Sequence, residues 1–299
     1  MQGTVDGFSY GLVTPVAAFL MACLGGALGL RCTTRSLRHR DSFKAGWLAL
    51  GATSIGTGIW TMHFIAMMGF SVQQAPIDYD RPITFASLGV AVLMVGIGIF
   101  IVGYRGATAL TLVTGGTITG LGVATMHYLG MAGMRLQGRI EYDTLTVALS
   151  VVIAVVAATA ALWAAVSIHG FLASLGASLV MGVAVSGMHY TAMAAVSVHL
   201  HGTTASTRTG DNAGSLLLPM LIGPAVFLIL AAVVVMFDPL LVMGDPDWQG
   251  SRARTVHRPG VPAPRHVPSY GEPANWTARP GARGARRAVP RGGHRSQDW

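Results

Sequence analysis

Charge is the first thing this sequence lacks. Asp, Glu, Lys and Arg make up 11% of its 299 residues, where a soluble domain carries about 25%. That scarcity, beside 52% hydrophobic residues, excludes an ordinary soluble globule and points to a lipid environment. Acidic residues are scarcer than basic ones, twelve against twenty, giving a formal charge of +8. The excess is not spread as a nucleic-acid footprint. Ten of the basic residues follow residue 250 and five lie between Arg31 and Lys44. This pattern fits a membrane topology signal and a basic tail, and no nucleic-acid partner is expected. Cysteine is limited to Cys23 and Cys32, too few for a disulfide framework, so both are read as unpaired thiols. No basic region precedes the first apolar run and no clear cleavage site follows it. That run is expected to stay as a membrane helix rather than leave as a signal peptide.

What is present is a series of apolar stretches of about 20 residues, the length that crosses a bilayer as a helix. Seven are predicted, at about 9–30, 45–70, 83–104, 107–134, 145–167, 171–198 and 215–237. The fold class is therefore all-α: a polytopic transmembrane helical bundle of seven spans, with three helical-hairpin repeats and a final span. The membrane domain is expected over 1–242. The segment 243–299, rich in Arg, Pro and Gly and without apolar periodicity, is expected to be a disordered basic cytoplasmic tail. Its arginines could attract anionic lipid headgroups. Placing the N-terminus outside puts Arg31, Arg35, Arg38, Arg40, Lys44, Arg105 and the tail arginines inside. Arg81, Arg135, Arg139 and Arg208 are then outside, as the positive-inside rule requires.

One short stretch recurs three times. Residues 56–67 read GTGIWTMHFIAM, residues 120–131 GLGVATMHYLGM, and residues 182–193 GVAVSGMHYTAM. They align without a gap, in spans two, four and six, at one helical hairpin per repeat. All three spans run from inside to outside in the predicted topology. His63, His127 and His189 should then share one depth near the outer face. On a helix, i and i+4 share a face, which pairs His63 with Met67, His127 with Met131 and His189 with Met193. The i+3 position is always small (Ala66, Gly130, Ala192), leaving room for a bound atom or a close helix. Met62, Met126 and Met188 point about 100° away and serve an adjacent site or pack. Gly56, Gly120 and Gly182, two turns below each histidine, are read as close-packing positions. Phe64, Tyr128 and Tyr190 are read as interfacial anchors.

Imidazole nitrogen with thioether sulfur is a ligand set of intermediate to soft character, and methionine selects Cu(I) over hard cations. No carboxylate recurs in the motif, which disfavours Mg²⁺, Ca²⁺ and di-iron. Zinc would leave the methionines unexplained. The candidate metal ligands are His63, Met67, His127, Met131, His189 and Met193, with Met62, Met126 and Met188 beside them. His199 and His201, after span six, are candidates for metal capture. His39, His169, His257, His266 and His294 are expected to be solvated on the inner side.

These residues resemble the MHYT domain family of bacterial integral membrane proteins, named for a repeated Met-His-Tyr-Thr motif. The third copy, residues 188–191, is literal; the others read MHFI and MHYL. The resemblance covers about residues 9–237. It implies a copper site near the outer face of the bacterial cytoplasmic membrane and a sensor role, for a diatomic gas or for redox state. Many members of the family carry cytoplasmic output enzymes. The tail here offers no room for one, so the expectation is a non-enzymatic sensor acting through a separate cytoplasmic signalling protein. Alternatives are a haem-binding membrane cytochrome or electron carrier, since His and Met are both haem ligands, a copper transporter, and a scaffold with no ligand.

Overall fold

The computed structural model describes residues 5–6, 10–38, 43–72, 77–136, 138–168, 170–200 and 213–237. The predicted tail at 243–299, with His257, His266 and His294, lies outside these residues, as do His39, His169 and His201.

One unit is made three times: strand, helix, helix, strand. The first is β1 (Val5–Asp6), α1 (Val13–Arg38), α2 (Lys44–Met68) and β2 (Ser71–Val72). The second is β3 (Asp78–Tyr79), α3 (Arg81–Arg105), α4 (Ala109–Ala132) and β4 (Met134–Arg135). The third is β5 (Gly138–Tyr142), α5 (Thr144–Ser167), α6 (Phe171–Ala194) and β6 (Val196–Leu200). A final helix, α7 (Ala213–Met236), follows. In each unit the strand before the hairpin pairs antiparallel with the strand after it: Val5 with Val72, Asp78 with Arg135, Gly138 with Leu200.

The seven helices are the seven predicted spans, with shifted ends. The first continues past residue 30 to Arg38, because Arg31, Ser36 and their neighbours propagate a helix already nucleated by the apolar run. Spans four and six stop early, at 132 and 194. Their last apolar residues belong to β4 and β6, where Val196-Ser-Val-His-Leu alternates with period two. Among the described residues six helices, α1 and α3–α7, are long and apolar enough to cross a membrane. α2 is less apolar, and fifteen of its residues are buried. A helix covered by its neighbours can carry Gly, Ser and Thr on the faces it packs.

From α1 to α6 each helix packs on the next, and α6 also packs on α1, so α1–α6 close a ring; α7 lies outside it against α1 and α2. The motif glycines make the closing contacts. A Cβ at Gly56 would lie 2.9 Å from the Val92 backbone in α3, one at Gly120 would lie 2.5 Å from the Val155 Cα in α5, and one at Gly182 would strike Cys23 in α1. Within the first hairpin Gly25 and Gly58 meet backbone to backbone; a Cβ on either would lie 2.7 Å from the Cα of the other.

Helix starts are set by short polar side chains. Asp80 caps α3 by accepting from Ile83 N–H at 3.2 Å, and Asp143 caps α5 by accepting from Thr146 N–H at 2.9 Å. The backbone N–H groups of the same two aspartates donate to the Gly133 and Ala195 carbonyls at 2.8 and 2.9 Å, tying each hairpin's first helix to the end of its second. The Asp80 carboxylate also pairs with Arg135 on β4. The Ile83 N–H bond, and then Arg135, hold the Asp80 carboxyl below the usual carboxylate range. A folded-state value below the unfolded one contributes stability above the unfolded value, about 3.9. That contribution is lost as pH falls through the lowered folded value. Asp80→Asn keeps a capping side chain and removes the charge. Its Tm is expected to fall less between pH 5 and pH 3 than that of the parent chain, in a thermal-melt series against pH.

Candidate metal centre

His63, His127 and His189 each stand five residues before the end of their helix, about 7–8 Å below the strand layer at 1.5 Å per residue. The three ends are built alike. Gly69, Gly133 and Ala195 close the helices in right-handed conformation, their N–H groups donating to Ala66, Gly130 and Ala192 at 3.0, 3.2 and 3.2 Å. Ring closure and identical ends turn equal sequence positions into equal depth.

The rings then meet on the axis of the bundle. Nδ1 of His63 lies 3.1 Å from that of His189 and 3.2 Å from that of His127, and the last pair is 3.3 Å apart. The ring planes stand at 74–80° to one another, and all three residues are buried. Among the described residues this is the one cluster of three or more His, Cys, Asp or Glu side chains able to share an ion. No carboxylate belongs to it.

Hydrogen bonding alone cannot satisfy this triangle. A neutral imidazole Nδ1 either carries a proton and donates or is bare and accepts. With three such atoms in mutual contact, at least one edge sets like against like. The far sides offer no relief, because Nε2 of His63 and of His127 are buried without a partner. A cation between three bare Nδ1 atoms removes the conflict. The point equidistant from them lies about 1.85 Å from each (an edge of about 3.2 Å divided by √3). Metal–imidazole bonds run at about 2.0–2.1 Å for zinc, so the donor set fits a single ion within a few tenths of an ångström. It does not fit a haem between two of the rings, since the nitrogens are too close to flank a porphyrin plane.

The methionines are placed less uniformly. Met67 and Met131 are fully buried and Met193 partly; Met62, Met126 and Met188 are all fully buried. The i+3 position opposite His63 is not left open. The His63 ring occupies it, so that a Cβ at Gly130 would lie 2.6 Å from His63 Nε2. Phe64 is fully buried against Trp60 and Tyr79 rather than anchored at a lipid interface. Each histidine is met edge-on by the next residue's ring, at 4.6, 4.9 and 5.0 Å for Phe64, Tyr128 and Tyr190. His199 lies on β6 with Nε2 3.4 Å from a Glu141 carboxylate oxygen, apart from the cluster.

A second layer is invisible in the motif. Trp60 Nε1 donates to the Thr84 carbonyl at 3.2 Å and to Ser87 Oγ at 3.0 Å, and the Tyr128 hydroxyl bonds Ser150 Oγ at 2.8 Å. Ser87 and Ser150 are 63 residues apart, the same spacing as the capping Asp80 and Asp143. That periodicity was the available signal. Through it α3 and α5 hold the motif helices α2 and α4 in rotation.

Comparison with known proteins agrees with the repeat. The family model described as a bacterial signalling protein N terminal repeat, MHYT, matches residues 56–115 and 120–178, beginning on the first residue of the first two motif copies. The bifunctional diguanylate cyclase/cyclic di-GMP phosphodiesterase MucR of Pseudomonas aeruginosa is 34% identical over 238 residues, 78% of this chain and 35% of that protein. The cyclic di-GMP phosphodiesterase NbdA of the same organism is 36% identical over 209 residues, 65% of this chain and 26% of that one. The signaling protein YkoW of Bacillus subtilis is 30% identical over 190 residues, 61% and 23% respectively. The chain thus spans about a third or less of each of these relatives. No solved structure matches.

Proposed function

The chain belongs to the MHYT family of bacterial signalling proteins, and from that premise we propose that it is a membrane sensor whose three histidines hold one soft metal ion, copper as Cu(I). The single observation that carries this is the triangle of Nδ1 atoms 3.1–3.3 Å apart, buried, free of carboxylates and unsatisfiable by hydrogen bonds alone. His63, His127 and His189 are the primary ligands. Met67, Met131 and Met193, with Met62, Met126 and Met188, would supply the soft donors that favour Cu(I) over zinc. When bound, copper would supply a centre able to take a further small neutral ligand or to change oxidation state. The sensed signal is accordingly a diatomic gas or the redox state. The protein's own part is to hold the three rings edge to edge, keep their Nδ1 atoms bare and shut water out.

The membrane is the bacterial cytoplasmic membrane and the triad faces its outer side. β1 pairs with β2 at the triad end, while Arg31, Arg35, Arg38, Lys44 and Arg105 gather at the ends of α1, α2 and α3 away from it. There Lys44 lies 5.1 Å over the Tyr104 ring and Arg35 5.6 Å over Trp47, the basic and aromatic signature of a cytoplasmic interface. Output passes to a cytoplasmic signalling partner, with cyclic di-GMP turnover, the activity named for MucR and NbdA, as the process it controls. A conducting path for copper is the weaker reading, because no histidine, cysteine or carboxylate lines the space beneath the triad.

The test is metal analysis by mass spectrometry of the full chain in detergent after Cu(I) loading, beside a His63, His127, His189→Ala protein. About one copper per chain in the first and background in the second is the expected result. Equal copper in both, or none in either, overturns the assignment.

A further inference from the structure

Aromatic packing at the strand end of the bundle differs between the first two junctions of the repeated unit. Where the first unit meets the second, four rings pack together. Between ring centroids, Trp60 lies 4.7 Å from Phe64 and 6.2 Å from Phe85, and Phe64 lies 6.1 Å from Tyr79. Trp60 and Phe64 are fully buried, and Tyr79 is 9% exposed. The same positions at the next junction, 64 residues on in the motif helix and 63 on elsewhere, hold Ala124, Tyr128, Ala148 and Tyr142. Two of the four rings are missing there, and Tyr142 is 38% exposed.

At this second junction lies an open pocket of about 630 Å³. Small-molecule sites run at roughly 300–1,000 Å³ and combine an apolar lining with a few placed polar groups. The lining here has that character. Met131 and Met134 are buried in it, and flexible thioethers adapt to the shape of a guest. Tyr128 and Tyr142, edge-on to one another at 5.8 Å, supply aromatic surface. Arg135 and Arg139, both exposed, are the only charged side chains in the lining. Arg135 is paired with Asp80. Arg139 has no acidic partner among the described residues, and the nearby Glu141 carboxylate is engaged by His199 across the strand pair.

A guest has to suit both halves of this lining. The methionines and tyrosines select an apolar body. A guanidinium without a counter-ion selects an anion, and its planar fork matches carboxylate or phosphate. A metal cation is repelled by both arginines, and a wholly apolar guest leaves Arg139 unused.

We propose that this pocket binds an organic anion, a carboxylate or phosphate on an apolar body. Its charge sits on Arg139 and its body against Tyr128, Tyr142 and the two methionines. A free aromatic acid and the phosphate of a lipid headgroup share that chemistry. None of the three histidines lines the pocket, so the site stands or falls apart from the metal assignment. Tyr128 joins the two sites, because it also meets His127 edge-on at 4.9 Å.

The probe is para-fluorophenylacetate, followed by fluorine NMR against the full chain in nanodiscs of phosphatidylcholine. Saturable line broadening is expected. Arg139→Gln should weaken binding about tenfold, the scale of one hydrogen bond to a charged group. Ile140→Trp enlarges a lining side chain and should abolish binding. The neutral analogue para-fluorophenylethanol should bind about tenfold more weakly than the acid, and equally to the parent and to Arg139→Gln. The His63, His127, His189→Ala protein should still bind the acid. Native mass spectrometry of the same samples separates the sources. An anionic phospholipid that stays with the parent through exchange into phosphatidylcholine, and is lost from Arg139→Gln, assigns the site to a headgroup. Probe binding with no such retained lipid assigns it to a free acid. No saturable binding to a chain free of retained lipid overturns the proposal, as does affinity unchanged in both variants or equal affinity for acid and alcohol.

Discussion

Gly130→Ala is expected to disable the triad with a single methyl group. The added Cβ would lie 2.6 Å from His63 Nε2, 3.1 Å from its Cδ2 and 3.2 Å from Phe64 Cζ. Elsewhere a ring could rotate away. Here the other edge of the His63 ring already touches His127 and His189, and Phe64 is fully buried behind it. The ring must tilt, and Nδ1 leaves the triangle. Loss of an outer-shell partner alone costs about 10–100-fold in metal affinity, and displacing a ligand itself should cost at least that. Competition with a Cu(I) chelator reads the change. A double-mutant cycle isolates the cause: in a His63→Ala background the same Gly130→Ala change should lose its destabilising effect on Tm. If it destabilises equally in both backgrounds, the contact is not the reason. Ala66 and Ala192 already carry a Cβ at the equivalent positions, so the sensitivity belongs to the one interface where α2 leans on α4.

The largest loss of stability is expected at the crossing of α1 and α2. Gly25→Leu would drive a Cβ to 2.7 Å from the Gly58 Cα and from the Ser54 carbonyl oxygen. Both are backbone atoms, which cannot swing aside as a flexible side chain can. The two helices must part along their length. Overpacking a well-packed core costs about 1–3 kcal/mol and occasionally more, and a backbone-on-backbone clash belongs at or above the upper end. Unfolding in a graded denaturing-detergent series should show the Gly25→Leu protein largely unfolded where the parent is folded. Gly89→Leu is the matched control. Nothing lies within 4 Å of its Cβ, and substitutions at such sites usually stay within about 0.5 kcal/mol.

The seven helices were legible because lipid imposes a length and a composition, and both are local. The shared depth of the three histidines was legible because a repeated motif in equivalent spans must recur at one level. Contact between their Nδ1 atoms was not, since it depends on closure of a ring that no single span encodes. The strands escaped for a different reason. At two to five residues they are too short for period two to stand out from the apolar run ahead of them, and Val196 and Val198 read as helix. Phe64 was misplaced as an interfacial anchor because the sequence does not say which side of α2 faces protein. α2 is covered by α7 as well as by its ring neighbours, so it has little lipid-facing surface on which an anchor could sit.

The ring also dictates an order of biogenesis. Each strand pair straps its own hairpin, so a unit can be completed as soon as its last strand leaves the ribosome. The seam between α6 and α1 is different. It brings Gly182 against Cys23, across most of the described chain, and can form only after the third hairpin has entered the bilayer. One histidine comes from each hairpin and His189 comes last. A nascent chain with two hairpins inserted therefore has two imidazoles and no triangle. On the proposed copper reading, capture of the ion would wait until the ring shuts, and metal content would report finished assembly.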